Sequence, residues 1–371
     1  MSRKSWRFGA AAAVLVAGLC GAGTAQAETR AFVVSWFAQA TNSEDGDCSA
    51  GVHPEIEKIY MRYVERLGLP AADVERYKKE LATASGGADL ANVLVNRGRI
   101  NGEPVNGWTH PAATPDLNMP GLDGKYAYGF NLDGKVDKNS FEDPETKEKG
   151  VDHALYRAMG CARAMRGTFE SRPTYWSWVW GQLRDSQPAW IITLTGDDLT
   201  RDGPVTVRFD RAIEYVRANP DGTSRANMSY RVDPDPRSHN SFRGQIKDGV
   251  VTLTEHGTLR LLQNPLVNPE LRLKNFHVRL KMRPDRSMVG IIGGYQSWHQ
   301  IYWGLAGLAT GGEVSVTGDI PTFYHLMKRY ADADPDPKTG QNMSISSVYY
   351  IEALPAYAAP PRPAELRVSQ K

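Results

Sequence analysis

The spacing of apolar residues in this chain changes near residue 170, and this change constrains the fold more than any other sequence feature. Residues 53–83 and 151–166 carry apolar side chains three or four positions apart, which predicts a helical hairpin and a third helix. From Tyr175 onward, apolar and polar residues alternate in short runs divided by Asp-Gly, Asn-Pro and Pro-Asp turns, which predicts about eight antiparallel strands. The alternating runs are 176–180, 190–195, 205–209, 250–254, 276–282 and 289–292.

These patterns predict an α+β protein, in which a helical N-terminal portion packs on a mainly antiparallel β-sandwich or open barrel. We place the helical and loop-rich portion at residues 28–170 and the β-rich domain at residues 171–354. One further helix is expected near residues 321–331, packed on the sheet. Residues 355–371 are rich in proline and predict a disordered tail.

The first 27 residues have the layout of a secretory signal peptide. Arg3, Lys4 and Arg7 form a basic start, an apolar run of residues 8–19 follows, and small residues at 25–27 mark a cleavage site. The apolar run is shorter than the roughly 20 residues that a membrane helix needs. The sequence therefore predicts a periplasmic or secreted protein without a transmembrane segment after signal removal.

Cysteine usage agrees with export. Cys20 lies inside the signal, and a lipid-anchored alternative is disfavoured because Leu19, just before it, is not a small residue. Cys48 and Cys161 remain, and in an oxidising compartment they most simply form one disulfide. That bond would stabilise the fold by on the order of 4–5 kcal/mol in the chain-entropy estimate. Two separate buried thiols are the alternative.

The charge balance gives no reason to expect a nucleic acid partner. Without the three basic residues of the signal, 41 basic and 42 acidic side chains remain. A nearly neutral chain lacks the basic excess that attracts nucleic acid or an anionic membrane surface.

One acidic loop has the pattern of a calcium site. Asn131, Asp133 and Asp137 offer oxygen ligands, Gly134 permits a sharp turn, and Val136 is the apolar residue two places on. The pattern resembles the calcium loop of dockerin modules, which are also secreted. An ordinary Asp-Gly turn with solvated carboxylates is the alternative interpretation.

The loop departs from the dockerin pattern at two ligand positions. Gly129 stands at the first ligand position and Ser140 at the last, and we find one such loop where dockerins have two. Dockerin function is therefore not carried over. Asp143 and Asp152 are the nearby residues that could supply the missing oxygens. The predicted calcium ligands are Asn131, Asp133, Asp137 and Asp152.

A wider resemblance covers residues 128–161. The segment Tyr-Gly-Phe-Asn-Leu-Asp-Gly, the later Gly150-Val151-Asp152 and Gly160-Cys161 resemble a segment of uncharacterised secreted bacterial proteins. The resemblance implies no activity. It implies that Asp133, Gly134 and Asp152 belong to one structural unit.

Other acidic segments compete with this loop as cation sites. Asp332, Asp334 and Asp336 alternate along the chain, but Pro337 stands where a calcium loop needs glycine. Asp233 and the residues 197–202 form shorter clusters. Solvated loops that proline stiffens are the simpler interpretation of the first two segments, and turn residues after a strand are the simpler interpretation of residues 197–202.

Two aromatic clusters are candidate ligand sites. Trp176, Trp178 and Trp180 would share one face of a strand, as a sugar-stacking platform or, more simply, as part of the core. The second cluster mixes aromatic and polar groups, which suits either the mouth of a binding cavity or a contact between domains. The predicted ligand-binding residues are Trp298, His299, Tyr302 and Trp303.

Common catalytic motifs are absent from the sequence: it has no nucleophile elbow, zinc-protease helix, phosphate loop, dinucleotide fingerprint or haem motif. Only His153, beside Asp152, and His299 are histidines of interest. The leading hypothesis is an exported envelope protein with a non-catalytic binding or structural role, with one bound calcium ion as an open question. The expected partner is a small molecule, a lipid or a polysaccharide. The alternative is a hydrolase or lyase that acts on an extracellular or envelope polymer.

Overall fold

The computed structural model describes residues 27–52, 55–81, 88–262, 270–307 and 318–362. The protein is mostly β, and its centre is a closed barrel of eight antiparallel strands. The predicted fold class, a helical portion on a sandwich or open barrel, is therefore wrong. The predicted runs 190–195, 205–209, 250–254, 276–282 and 289–292 lie in barrel strands. The barrel strands Glu28–Gln39, His239–Lys247 and Asn342–Ala359 were not predicted, and neither was the pairing of the first strand with the last, which closes the sheet.

The first barrel strand stands far from the second along the chain. Strand β1 (Glu28–Gln39) is followed by a long insertion, residues 40–187, before the barrel resumes. The insertion contains α1 (Ile56–Arg66), α2 (Ala71–Leu81), α3 (Ala88–Val95), β2 (Gly98–Ile100), β3 (Glu103–Val105), β4 (Phe141–Glu142), β5 (Lys149–Val151), α4 (Ala154–Met159) and α5 (Thr174–Ser186).

The remaining barrel strands follow in chain order. They alternate with short additional elements and with two helices near the C-terminal end. The elements are β6 (Pro188–Gly196), β7 (Gly203–Tyr215), β8 (Met228–Arg231), β9 (His239–Lys247), β10 (Val250–Leu253), β11 (Thr258–Leu262), β12 (Glu270–Met282), β13 (Met288–Ser297), α6 (Trp298–Gly307), α7 (Ile320–Tyr330), β14 (Ala333–Pro335) and β15 (Asn342–Ala359).

The barrel is an up-and-down meander. Its strands pair in the order β1-β6-β7-β9-β10-β12-β13-β15, and β15 pairs with β1 to close it. Strands β8 and β14 pair with β15, and β11 pairs with β12, outside the ring. Closure satisfies the backbone groups that an open sheet would leave at its edges.

Side chains fill most of the barrel interior. Along β7, Val205, Val207 and Phe209 are buried, whereas the intervening Thr206 is exposed. The same alternation places Leu280 of β12 and Ile292 of β13 in one continuous apolar core. An eight-stranded barrel is just wide enough for its side chains to fill, so the strands specify a packed interior.

A second core joins the insertion to the C-terminal helices. Tyr63 of α1, Tyr302 of α6 and Phe323 of α7 are fully buried in it. Arg97 and Asp319 form a buried ion pair, with the two guanidinium nitrogens 2.9 Å and 2.6 Å from the carboxylate oxygens. Asp319 also caps α7 by accepting from the Thr322 backbone N–H.

Several local predictions can be compared with these elements. The helical hairpin and the helix near residues 321–331 are present as α1, α2 and α7. The disulfide between Cys48 and Cys161 is confirmed. The predicted third helix is reduced to the six residues of α4 and a 3₁₀ turn. Strand β15 continues through Ala359, so the first residues of the expected tail are strand. The signal peptide, apart from Ala27, and residues 363–371 lie outside the described residues.

The tryptophan run is helical, not a strand. Tryptophans at every second position are also compatible with a helix, because the first and the last of them, Trp176 and Trp180, lie four residues apart on one side of α5. Trp180 meets the Trp36 ring edge-on at 6.4 Å, and Trp178 on the other side is exposed. The predicted stacking platform of three parallel indoles therefore does not form.

Candidate functional site

A cavity lies at one end of the barrel, where β1 ends and β15 begins. Its volume is about 80 Å³. The barrel strands form its floor, and α4, α5 and α6 cover it. The lining residues are Phe37, Gln39, Leu155, Met159, Met165, Tyr175, Trp176, Val179, Leu183, Leu271, Gln296, Ile301, Gly304, Leu305 and Tyr349.

Strand alternation and helical spacing explain why these side chains meet. Phe37 and Gln39 are two positions apart on β1, and Gln39 pairs in register with Tyr349 of β15. The Phe37 and Tyr349 rings stack with their centroids 4.6 Å apart. Trp176 and Val179 of α5 lie one helical turn apart and reach the same space.

Two residues of the cavity lining carry polar atoms that are buried without partners among the described residues. Gln39 is 2% exposed, and its Nε2 has no hydrogen-bond partner among the described residues. The same holds for the buried indole Nε1 of half-buried Trp176. Gln296, by contrast, donates from Nε2 to the Tyr349 hydroxyl. Burial raises the pKa of Tyr349 to about 12, so this phenol stays protonated at neutral pH.

An unpartnered amide in an apolar site is costly. A buried donor without a partner destabilises a fold by about 1–3 kcal/mol. Most buried polar groups in native proteins are paired, so an exception requires a physical explanation.

A second depression is larger and open. It follows β7 and β9 with a volume of about 730 Å³, and exposed side chains such as Arg243 and Lys247 border it. No buried unpartnered polar atom among the described residues belongs to its lining. The cavity at the barrel end is therefore the better candidate for a specific small ligand.

The predicted calcium loop forms a sharp turn, with Gly134 at a φ of 75°. Asp133 Oδ1 accepts from the Lys135 backbone N–H at 2.8 Å, and Asp137 Oδ1 accepts from that of Asn139 at 2.7 Å. Asn131 donates to the Lys149 carbonyl at 3.3 Å, while its Oδ1 is buried without a partner among the described residues. The turn interpretation accounts for the contacts of Asp133 and Asp137 without a cation.

The fourth predicted calcium ligand, Asp152, belongs to a different group. Its Oδ2 accepts from the Leu132 backbone N–H at 2.7 Å. Burial, together with the nearby carboxylates of Asp133 and Asp332, raises the pKa of Asp152 to about 7. Within the described ranges, no three His, Cys, Asp or Glu side chains are arranged to hold a metal ion.

A chain of hydrogen bonds connects Asp332 to the backbone of Ala154, two residues after Asp152. The Ala154 backbone N–H donates to Ser346 Oγ at 2.8 Å, and Ser346 Oγ donates to Asp332 Oδ2 at 2.6 Å. Burial raises the pKa of Asp332 to about 6 despite this hydrogen bond. The sequence contained both acidic segments but gave no sign that they meet, because they are 180 positions apart in the chain.

The predicted ligand-binding residues of the second aromatic cluster all lie on α6, but on two faces. Trp298 and Tyr302 are buried in the second core, where they donate to the carbonyls of Asn342 and Trp108. His299 and Trp303 are exposed and contact each other. The cavity is instead lined by other residues of α6, namely Ile301, Gly304 and Leu305.

His153 is buried, and its Nε2 lies 3.1 Å from the Ala40 carbonyl oxygen. Burial lowers the pKa of His153 to about 3, so the ring is neutral under physiological conditions. It contacts the core beside the barrel end and does not line the cavity.

Sequence reasoning missed Gln39, Gln296 and Tyr349. One signal was present, because Gln39 is a polar residue that ends a run of mostly apolar, buried positions on β1. A polar residue at such a position marks either a strand end or a buried site. The strand pattern alone does not distinguish these cases.

No helix in the described part of the chain is long and apolar enough to span a membrane. Comparison with protein-family models, with curated proteins and with solved structures finds no match to this chain.

Proposed function

We propose that this chain is an exported, non-catalytic binding protein that holds a small, mainly apolar molecule at the end of its barrel. The observation that carries the proposal is a mainly apolar cavity that Gln39 lines, together with the buried Nε2 of Gln39, which has no partner among the described residues. Specific ligand sites combine an apolar wall with a few polar groups that fix orientation. The predicted signal peptide and the disulfide support an oxidising compartment.

The lining favours binding over catalysis. Its polar groups are amides, an indole and two tyrosines, Tyr175 and Tyr349. Burial raises the pKa of both tyrosines, so neither offers a base near neutral pH. General acid–base and nucleophilic mechanisms need a group that titrates or is activated at the working pH.

The volume limits the ligand. At about 15 Å³ for each water-sized group, the cavity holds roughly five such groups. Leu183, Ile301 and Gly304 at its border are partly exposed, so a longer molecule would extend outward between α5 and α6. The enclosed part of the ligand is therefore a short alkyl or acyl segment.

A cavity-filling variant tests the proposal. A ligand that binds only the folded state raises its stability, so saturating 2-pentanone should raise the Tm of the wild-type protein. Val179→Phe should fill the cavity and abolish this rise, whereas Val136→Phe, at an exposed loop position, should retain it. If neither 2-pentanone nor its hydrocarbon analogue 2-methyl-1-pentene raises the Tm or gives binding heat, the proposal is wrong.

A second candidate function is hydrolysis or elimination on an extracellular polymer. It is favoured by one observation, the two carboxylates of Asp152 and Asp332, whose pKa values are raised to about 7 and about 6. Raised carboxyl pKa values are common among catalytic acids. Turnover of a polysaccharide panel that is lost in both Asp152→Asn and Asp332→Asn would favour this candidate.

A further inference from the structure

We infer that the cavity takes an uncharged molecule that presents a hydrogen-bond acceptor, such as the carbonyl oxygen of a ketone, ester or amide, to Gln39 and Trp176. This inference rests on the proposed function, since it names the chemistry of the ligand that the cavity would hold.

The first argument is the kind of polar group that lacks a partner. Both Gln39 Nε2 and Trp176 Nε1 are buried hydrogen-bond donors without an acceptor among the described residues. An indole N–H donates and never accepts. A ligand atom that satisfies Trp176 must therefore be an acceptor.

The second argument is that a third residue of the lining, Tyr349, carries a donor. Gln296 donates to the Tyr349 oxygen, which leaves the phenol hydrogen of Tyr349 without an acceptor among the described residues. Tyr349 is the cross-strand neighbour of Gln39, and its ring centroid lies 5.8 Å from that of Trp176. A single carbonyl oxygen has two lone pairs and can accept from two of these groups at once.

The third argument is the absence of charge. No Lys, Arg, His, Asp or Glu side chain is found in the lining that the structure describes. A carboxylate or an ammonium group would be removed from water here without an opposite charge to compensate it. The remainder of the ligand would lie against Leu155, Met159 and Leu305, which favours an alkyl group.

Three probes of equal size separate these possibilities. 2-Pentanone offers a carbonyl oxygen, 2-methyl-1-pentene replaces that oxygen by a methylene group, and butanoate replaces the ketone by a carboxylate. We expect 2-pentanone to bind about tenfold more tightly than the alkene, which corresponds to about 1.4 kcal/mol. Butanoate at pH 8 should bind at least tenfold more weakly than 2-pentanone.

The indole N–H of Trp176 reports the contact directly. In a ¹H–¹⁵N spectrum, the indole signal of Trp176 is identified as the one that Trp176→Phe removes. Addition of 2-pentanone should shift this proton resonance downfield, whereas addition of the alkene should not. In both Gln39→Met and Trp176→Phe, the preference for the ketone should fall to about twofold or less. Trp178→Phe, on the exposed side of the same helix, and Gln245→Met, on the exposed face of β9, should keep the full preference.

The outcomes distinguish the inference from the function on which it rests. Equal binding of ketone and alkene without a shift of the Trp176 signal overturns the inference and leaves the binding function intact. Tighter binding of butanoate than of the ketone also overturns it. If none of the three probes binds, both the inference and the proposed function are wrong.

Discussion

Replacing Gln39 by methionine should make this protein more stable, which is unusual for a change in a buried strand. Methionine has nearly the length of glutamine but no amide, and its thioether packs well against the Phe37 and Tyr349 rings. The Nε2 atom of Gln39 is buried without a partner among the described residues, and removing such a group relieves a penalty of about 1–3 kcal/mol. After a modest packing loss, we expect the free energy of unfolding to rise by about 1–2 kcal/mol.

Urea denaturation of the ligand-free protein measures this change, because a shift in midpoint at constant slope reports stability. The corresponding rise in Tm is roughly 1.5–3 °C for a chain of this length. Gln296→Met is the matched contrast: it removes the donor to Tyr349 and should destabilise the protein by about 1–2 kcal/mol. Gln245→Met at an exposed position should change little.

A loss of stability in Gln39→Met comparable to that in Gln296→Met would refute the reasoning. It would mean that the amide of Gln39 is satisfied in the ligand-free protein. The argument for a ligand acceptor would then lose its main support.

Two further predictions concern buried charges. Arg97→Met should destabilise the protein by about 3–5 kcal/mol, because it leaves the fully buried Asp319 carboxylate without its cation. Urea denaturation midpoints should show that the double variant, Arg97→Met with Asp319→Asn, recovers part of this loss. The pKa of Asp152 is raised to about 7 in the folded protein, from an unfolded value of about 3.9. The protonated carboxyl group therefore contributes its full stabilisation below about pH 4, and this stabilisation is lost as the pH rises through about 7. Between pH 4.5 and pH 8, the urea denaturation midpoint of the wild-type protein should fall more than the midpoint of Asp152→Asn. Equal falls in the two proteins would contradict the raised pKa.

The sequence predicted local structure where local spacing decides it. The apolar face of α1 includes Ile59 and Tyr63, four residues apart, and both are buried as the pattern requires. The five residues from Trp176 to Trp180 were ambiguous, since alternation and helical spacing coincide over so short a run. Contacts of Trp176 with Phe37 and of Trp180 with Trp36 accompany the helix, and those partners lie about 140 positions earlier in the chain.

Closure of the barrel and the position of the site depend on contacts between distant segments. Gln39, Gln296 and Tyr349 come from three strands, and their meeting depends on the register of β15 with both β1 and β13. Register follows from which face of each strand is buried, and alternation indicated this face for single strands but not which strands pair. The helical residues of the site were found in part, because the α6 segment was identified, although its cavity-lining side chains were not.

The position of the insertion explains why an otherwise filled barrel contains a cavity. The insertion leaves the barrel immediately after Gln39 and returns through α5, which leads directly into β6. Its helices α4 and α5 therefore cover the end of the barrel at which Gln39, Gln296 and Tyr349 lie. The cavity-facing side chains of these helices are apolar apart from the phenol of Tyr175 and the indole of Trp176, and none of them pairs with Nε2 of Gln39. A ligand acceptor between Gln39 and Trp176 would satisfy both donors, so we expect ligand binding to tighten the contact of α5 with β1. Amide hydrogen exchange in residues 174–186 should slow on addition of 2-pentanone, and unchanged exchange in a protein that binds the probe would contradict this coupling.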